Sequence, residues 1–220
     1  CAPAVGRSFR SAMTALAVVG AVAVVALVWS ERVGNAVRVV AKPLASVCFI
    51  GVALAAGAAD TAYGRWVLVA LVLSAIGDVA LLGRSSATFL LGLTSFLLGH
   101  VAYGIGFVAR GADLLAILIS ASVMAVPGLV VVRWLWPHVP DEMRAPVAAY
   151  AVVISAMVAC AVGTVVREGD VRILAAAVGF YCSDLSVARD RFVAPGPGNR
   201  VWGLPLYYAA QFLFAWTVVV

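Results

Sequence analysis

Long apolar stretches follow one another along nearly the whole chain, broken only by short runs of charge, proline and glycine. An α-helix rises ~1.5 Å per residue, so about 20 such residues cross the ~30 Å hydrocarbon layer of a bilayer. Inside that layer the backbone finds no water to bond, which leaves the helix as the spanning form for segments of this length. Composition points the same way. Of 220 residues 65% are hydrophobic and 11% charged, too little polar surface for a water-soluble globule. The expected fold is an all-α membrane protein, a polytopic bundle of about eight transmembrane helices.

Charges, prolines and turn glycines place the spans at about 12–29, 44–59, 64–83, 87–109, 113–132, 145–166, 172–188 and 201–220. The second is short and Ala-rich, so seven crossings is the alternative. No loop is long enough for a separate soluble domain, and a single integral membrane domain over 1–220 is expected. Arg7 and Arg10 before Met13–Trp29 resemble a leader, but no small-residue cleavage pattern follows, so this segment is read as a retained helix. Cys1 is not read as a lipidated terminus. Cys48, Cys160 and Cys182 sit singly within spans, without metal-ligand spacing, and are assigned to packing.

The net charge of +5 comes from cations that punctuate the spans, as loop anchors do, so membrane lipids are the expected partners and nucleic acid is not. If the spans alternate, one face carries Arg7, Arg10, Arg65, Arg110, Arg167 and Arg172. The other carries Arg32, Arg38, Lys42, Arg84, Arg133, Arg144, Arg189, Arg191 and Arg200. The second face has more cations, which leans it toward the cytoplasm.

Alternation also assigns depth. Asp78 lies roughly 9 Å along span three from its end at Gly83 and Arg84, and Asp184 roughly 7–9 Å from the end of span seven near Arg189. Both ends lie on the same face. A carboxylate at that depth costs ~2.5–3.5 kcal/mol on insertion scales and normally faces the bundle interior at a functional site. The alternative is local pairing of Asp78 with Arg84, or of Asp184 with Arg189 or Arg191. These spacings are not the favourable i, i+3 or i, i+4 positions. Lys42, Arg189, Arg191, Tyr207, Tyr208 and Gln211 gather on the same side, with His100 and Tyr103 deeper in span four. For the tyrosines an interfacial aromatic belt is an equal reading, and for His100 a satisfied core histidine.

An internal repeat is also visible. Gly92-Leu93 follows Asp78 and leads to His100; Gly203-Leu204 follows Asp184 and leads to Gln211, at the same spacing. Two four-helix repeats, pointing the same way, would generate this pattern.

The chain has no Gly-x-Ser-x-Gly elbow, no His-Glu-x-x-His pattern and no Gly-rich phosphate loop, and its two histidines are too few for a three-histidine zinc site. A Ser-His-Asp arrangement through Ser183 is compatible with the spacing but has no specific support, and acid–base work by two carboxylates is the favoured chemistry: a protonated member gives a proton while an ionised one activates water.

The residues that carry this chemistry also carry a resemblance. SAIGDVALLG (74–83), Phe89, GLTSFLLGHVAYGIGF (92–107), YCSDLSVARDRF (181–192), GLPLYYAAQFL (203–213) and the early Lys42-Pro43-Leu44 resemble the YhhN-like lysoplasmalogenase family. The resemblance implies a bacterial plasma-membrane hydrolase that cleaves the vinyl-ether bond of lysoplasmalogens. The products would be a fatty aldehyde and a glycerophospho-alcohol, with no metal or organic cofactor. It implies Asp78 and Asp184 as the catalytic pair, with Lys42, Arg189 and Arg191 toward the phosphate of a lysophospholipid substrate. His100, Tyr103, Tyr207, Tyr208 and Gln211 would line the cleft. An intramembrane lipid hydrolase of another kind, an aspartyl-type protease and a proton-coupled transporter are the competing readings. For the protease, the expected Gly-x-Gly-Asp is replaced here by Ala75-Ile76-Gly77-Asp78.

Overall fold

A computed structural model describes residues 2–33, 36–83 and 85–219, so Cys1, Arg84 and the side chains of Arg7 and Arg32 lie outside the described residues. Among the described residues the chain is helical throughout, with no strand. The helices are α1 (Ala2–Val33), α2 (Arg38–Ala55), α3 (Ala62–Ala80), α4 (Ser86–Arg110), α5 (Leu114–Leu135), α6 (Asp141–Glu168), α7 (Val171–Ala188) and α8 (Pro197–Trp216). A π-helical turn, Arg189–Val193, continues α7. Helix starts follow side-chain chemistry. Thr61, Ser85 and Asp113 each accept a hydrogen bond from a backbone N–H in the first turn of α3, α4 and α5. Gly169, in the left-handed region at φ +77°, stops α6.

Seven helices are long and apolar enough to cross a membrane. The short second span is among them, and α8 is the exception, because it carries Asn199, Tyr207, Tyr208 and Gln211. All four are buried, and α8 packs on α1, α2, α3 and α7. Its polarity is interior polarity. At the other extreme α5 leaves Leu114, Leu118, Val123, Val126 and Leu129 exposed, as a lipid-facing helix does.

Contacts fix the alternation of the helices. At one end Arg110, closing α4, donates to Asp170 before α7 (3.1 Å) and to the Thr217 carbonyl after α8 (2.9 Å). Its guanidinium lies 4.8 Å from the ring of Tyr63 at the start of α3. The opposite end is open.

The two halves repeat. The most extensive neighbours are α1 with α2, α3 with α4, α5 with α6 and α7 with α8, and α2–α8 packing is mirrored by α6–α4. Gly92 and Gly203 occupy equivalent places in it. A Cβ added to Gly92 would lie 3.5 Å from the Gly77 carbonyl, and one added to Gly203 would lie 3.6 Å from the Ser183 carbonyl. Gly77 and Ser183 are the residues immediately before the two aspartates. In both halves a glycine brings the following helix against the acid-bearing one.

Candidate active site

A cavity of about 610 Å³ occupies the open end of the bundle, and Asp78 and Asp184 both line it. Its wall takes Leu27 and Glu31 from the end of α1, Leu135 from the end of α5, Phe89 from the start of α4 and Tyr150 from the first half of α6. Odd-numbered helices end there and even-numbered ones begin there, as alternation requires. The size is in the range of small-molecule sites, ~300–1,000 Å³, and the lining is mainly apolar with a few converging polar groups.

Asp78 is buried. Its Oδ2 accepts hydrogen bonds from the Ser46 hydroxyl (2.7 Å) and the Tyr207 hydroxyl (2.8 Å). Its Oδ1 lies 3.3 Å from the Lys42 ammonium. Lys42 and Ser46 stand one turn apart on the buried face of α2, so the two donors come from a single stripe. Asp184 is less enclosed. Its Oδ2 accepts from the Tyr150 hydroxyl (2.6 Å) and lies 3.5 Å from His100 Nε2, while Ser183 Oγ is 3.5 Å from Oδ1. No lysine or arginine pairs with Asp184 among the described residues.

The partners follow the repeat. Each acid takes one set from the helix before it, α2 for Asp78 and α6 for Asp184. Each takes another from the last helix of the opposite half, α8 for Asp78 and α4 for Asp184. Phe180 joins the two clusters: its ring centre is 4.4 Å from that of His100 and 5.3 Å from that of Tyr207.

The other residues singled out in the sequence divide into three groups. Lys42, Arg191 and Tyr207 line the cavity with the aspartates. His100 stands behind Asp184, and Tyr208 behind Lys42, whose carbonyl its hydroxyl reaches at 3.2 Å. Tyr103 and Gln211 bond each other (2.5 Å) and, like Arg189, are not among the lining residues. Arg189 donates to Asn199, and Arg191 lies 4.5 Å above the Phe89 ring, so neither makes the local pair with Asp184 that its position allowed. Tyr207 and Tyr208 are buried core side chains, which excludes the interfacial belt for both.

Sequence reasoning passed over Ser46, Tyr150, Arg38 and Arg200. Ser46 carried a signal, one turn after Lys42 on the same helix face; Tyr150 stands alone among alanines and valines. Among the described residues no three His, Cys, Asp or Glu side chains are grouped to hold a metal ion.

A family model described as the YhhN family matches residues 37–218. The chain belongs to the YhhN family. The match runs from just before α2 through α8 and includes every side chain that touches either aspartate. It leaves the whole of α1 outside, including Leu27 and Glu31. The chain is thus a multi-pass membrane protein of the YhhN family, whose membership is compatible with a hydrolase. Searches of curated proteins and of solved structures found no match.

Proposed function

We propose that this YhhN-family protein is a lysoplasmalogenase-like hydrolase of a bacterial plasma membrane, cleaving the vinyl-ether bond of a lysophospholipid with Asp78 and Asp184 as its two catalytic carboxylates. The observation that carries the reading is the placing of both acids on one lipid-sized, mainly apolar cavity with unlike surroundings. Asp78 faces an ammonium and two hydroxyl donors, a setting that favours a carboxylate. Asp184 faces a tyrosine, a serine and an imidazole, and is assigned the proton donor.

The reaction follows from that division. Asp184 gives its proton to the vinyl carbon distal to the ether oxygen, leaving an oxocarbenium ion. Two carboxylates then stabilise the cation, as in glycosidases that pass through a similar ion. Water adds to the cationic carbon and its proton goes to Asp78, forming a hemiacetal. As the carbon–oxygen bond to glycerol breaks, Asp78 returns that proton to the leaving oxygen and Asp184 takes the hemiacetal hydroxyl proton. Aldehyde and glycerophospho-alcohol leave, and both acids are as they began. Tyr150 and Tyr207 hold the carboxyl groups in position throughout, while Leu81, Phe89, Leu93 and Leu135 accommodate the alkyl chain.

The test is purified protein in detergent with lysoplasmenyl-ethanolamine, scored by release of fatty aldehyde, and with a lysolipid of the same chain length carrying an ester in place of the vinyl ether, scored by release of fatty acid. Aldehyde from the first is the expected result. No aldehyde, or equal turnover of the ester, would overturn the reading.

A further inference from the structure

The cations expected to meet a phosphate are mostly engaged elsewhere. Lys42 is paired with Asp78, and Arg189 is bound to Asn199 away from the cavity. At the mouth, Arg200 bridges Glu31 (2.5 Å) and Asp190 (3.1 Å), so that one guanidinium occupies both carboxylates there. Two cations are left. Arg38, half-buried, lines the cavity one turn before Lys42 on α2, and among the described residues it has no ion pair or hydrogen bond. Arg191 lines it from the π turn, held over Phe89, with no carboxylate partner among the described residues. It also faces a smaller neighbouring cavity of about 270 Å³ with His138 and Glu142.

A half-buried guanidinium without a counter-ion gains most from an anion, and its planar fork matches the oxygens of a phosphate. Arg38 is also placed for register. The stripe Arg38, Lys42, Ser46 steps from the mouth toward Asp78 with a rise of roughly 6 Å per turn or a little less. A group gripped at Arg38 therefore stands on the mouth side of Asp78, which is held by the next two members of the same stripe, Lys42 and Ser46.

We propose that Arg38, with Arg191 on the wall of the same cavity, forms its phosphate-binding end, Arg38 being the principal contact. The proposal rests on the reading of the cavity as a lysolipid site and adds to it a requirement for an anionic head. Glu31 and Asp190 are not part of that end, because Arg200 holds both.

The test measures binding alone, so it does not depend on turnover. The full-length protein in detergent is titrated with a saturated 1-O-alkyl lysophosphatidylcholine, which has no vinyl ether to cleave, and with the 1-O-alkylglycerol of the same chain, which lacks the phosphate. Arg38→Gln should weaken the phospholipid about tenfold or more and leave the alkylglycerol within about twofold. Arg38→Lys should recover part of the loss. Arg133→Gln, an exposed cation on α5, removes the same charge and should change neither affinity. Unchanged phospholipid affinity in Arg38→Gln, equal weakening of both lipids, or an equal loss in Arg133→Gln would each overturn the assignment. Phospholipid binding that depends on Arg38 in a protein releasing no aldehyde would keep this inference and sink the vinyl-ether reading.

Discussion

At the scale of single residues, what distinguishes the two acids is their company. Lys42 is the sharpest case, because the sequence offers it as a headgroup cation and the structure pairs it with a buried carboxylate. If it serves Asp78, Lys42→Met lowers kcat with little change in KM; if it served the headgroup, KM would rise with kcat kept. Steady-state kinetics on the vinyl-ether lysolipid separates the two, with an expected fall of about 100-fold in kcat. Tyr150→Phe, which removes one hydrogen bond to Asp184, should cost about tenfold in kcat by the same measurement. The aspartates were legible in the sequence because a charge inside an apolar span is expensive and therefore conspicuous. Tyr150 was not, because one hydroxyl in a membrane helix costs little and leaves no mark, and Ser46 stood out only through its place one turn after Lys42. Arg38 was hidden for another reason: it sits at a span boundary, where an arginine reads as an ordinary loop anchor.

Helices meet closely where glycine allows it. At Gly203 an added Cβ would lie 1.8 Å from Ser186 Oγ and 2.6 Å from Ser186 Cβ, so α7 and α8 cannot keep their spacing around a larger residue. Gly203→Ala is expected to destabilise the fold by ~1–3 kcal/mol, read as a lower melting temperature in detergent. Gly104→Ala, in α4 with nothing within 4 Å of the new methyl, should be neutral or stabilising by up to ~1 kcal/mol. Equal melting temperatures for the two variants would contradict this account of the α7–α8 contact. Element existence was readable from apolar length, since seven helices qualify as spans on length and composition. The eighth, placed at 201–220 by its boundaries, is the least apolar as a span: a helix that turns its aromatic and polar residues inward has low hydropathy for the same reason that it builds a site. The Gly-Leu repeat in the sequence has its physical basis here too, since Gly92 and Gly203 make the same approach to the residues before the acids.

Over the whole molecule, the bundle is latched at one end and open at the other. The latch centres on Asp170, which accepts from Arg172 (2.8 and 2.9 Å) and Arg110 (3.1 Å). The Arg172 guanidinium beside it holds the Asp170 carboxyl below the usual carboxylate range. A depressed carboxylate adds stability that is present above its unfolded value, about 4, and is lost as pH falls through the lower folded value. Asp170→Asn should therefore melt below the wild type at pH 7, with the gap closing under strong acid; a gap independent of pH would contradict the latch. Which end was latched could not be read from the sequence, because Arg110, Asp170, Thr217 and Tyr63 come together only when four helix ends meet. At the open end the two halves of the chain each contribute one acid and one set of partners to the other's acid. The measurement that tests this most directly is kcat for aldehyde release by purified Asp78→Asn and Asp184→Asn, each confirmed to be folded by its melting curve. The account predicts a loss of at least about 100-fold in each. Full activity in either variant would contradict the two-carboxylate site.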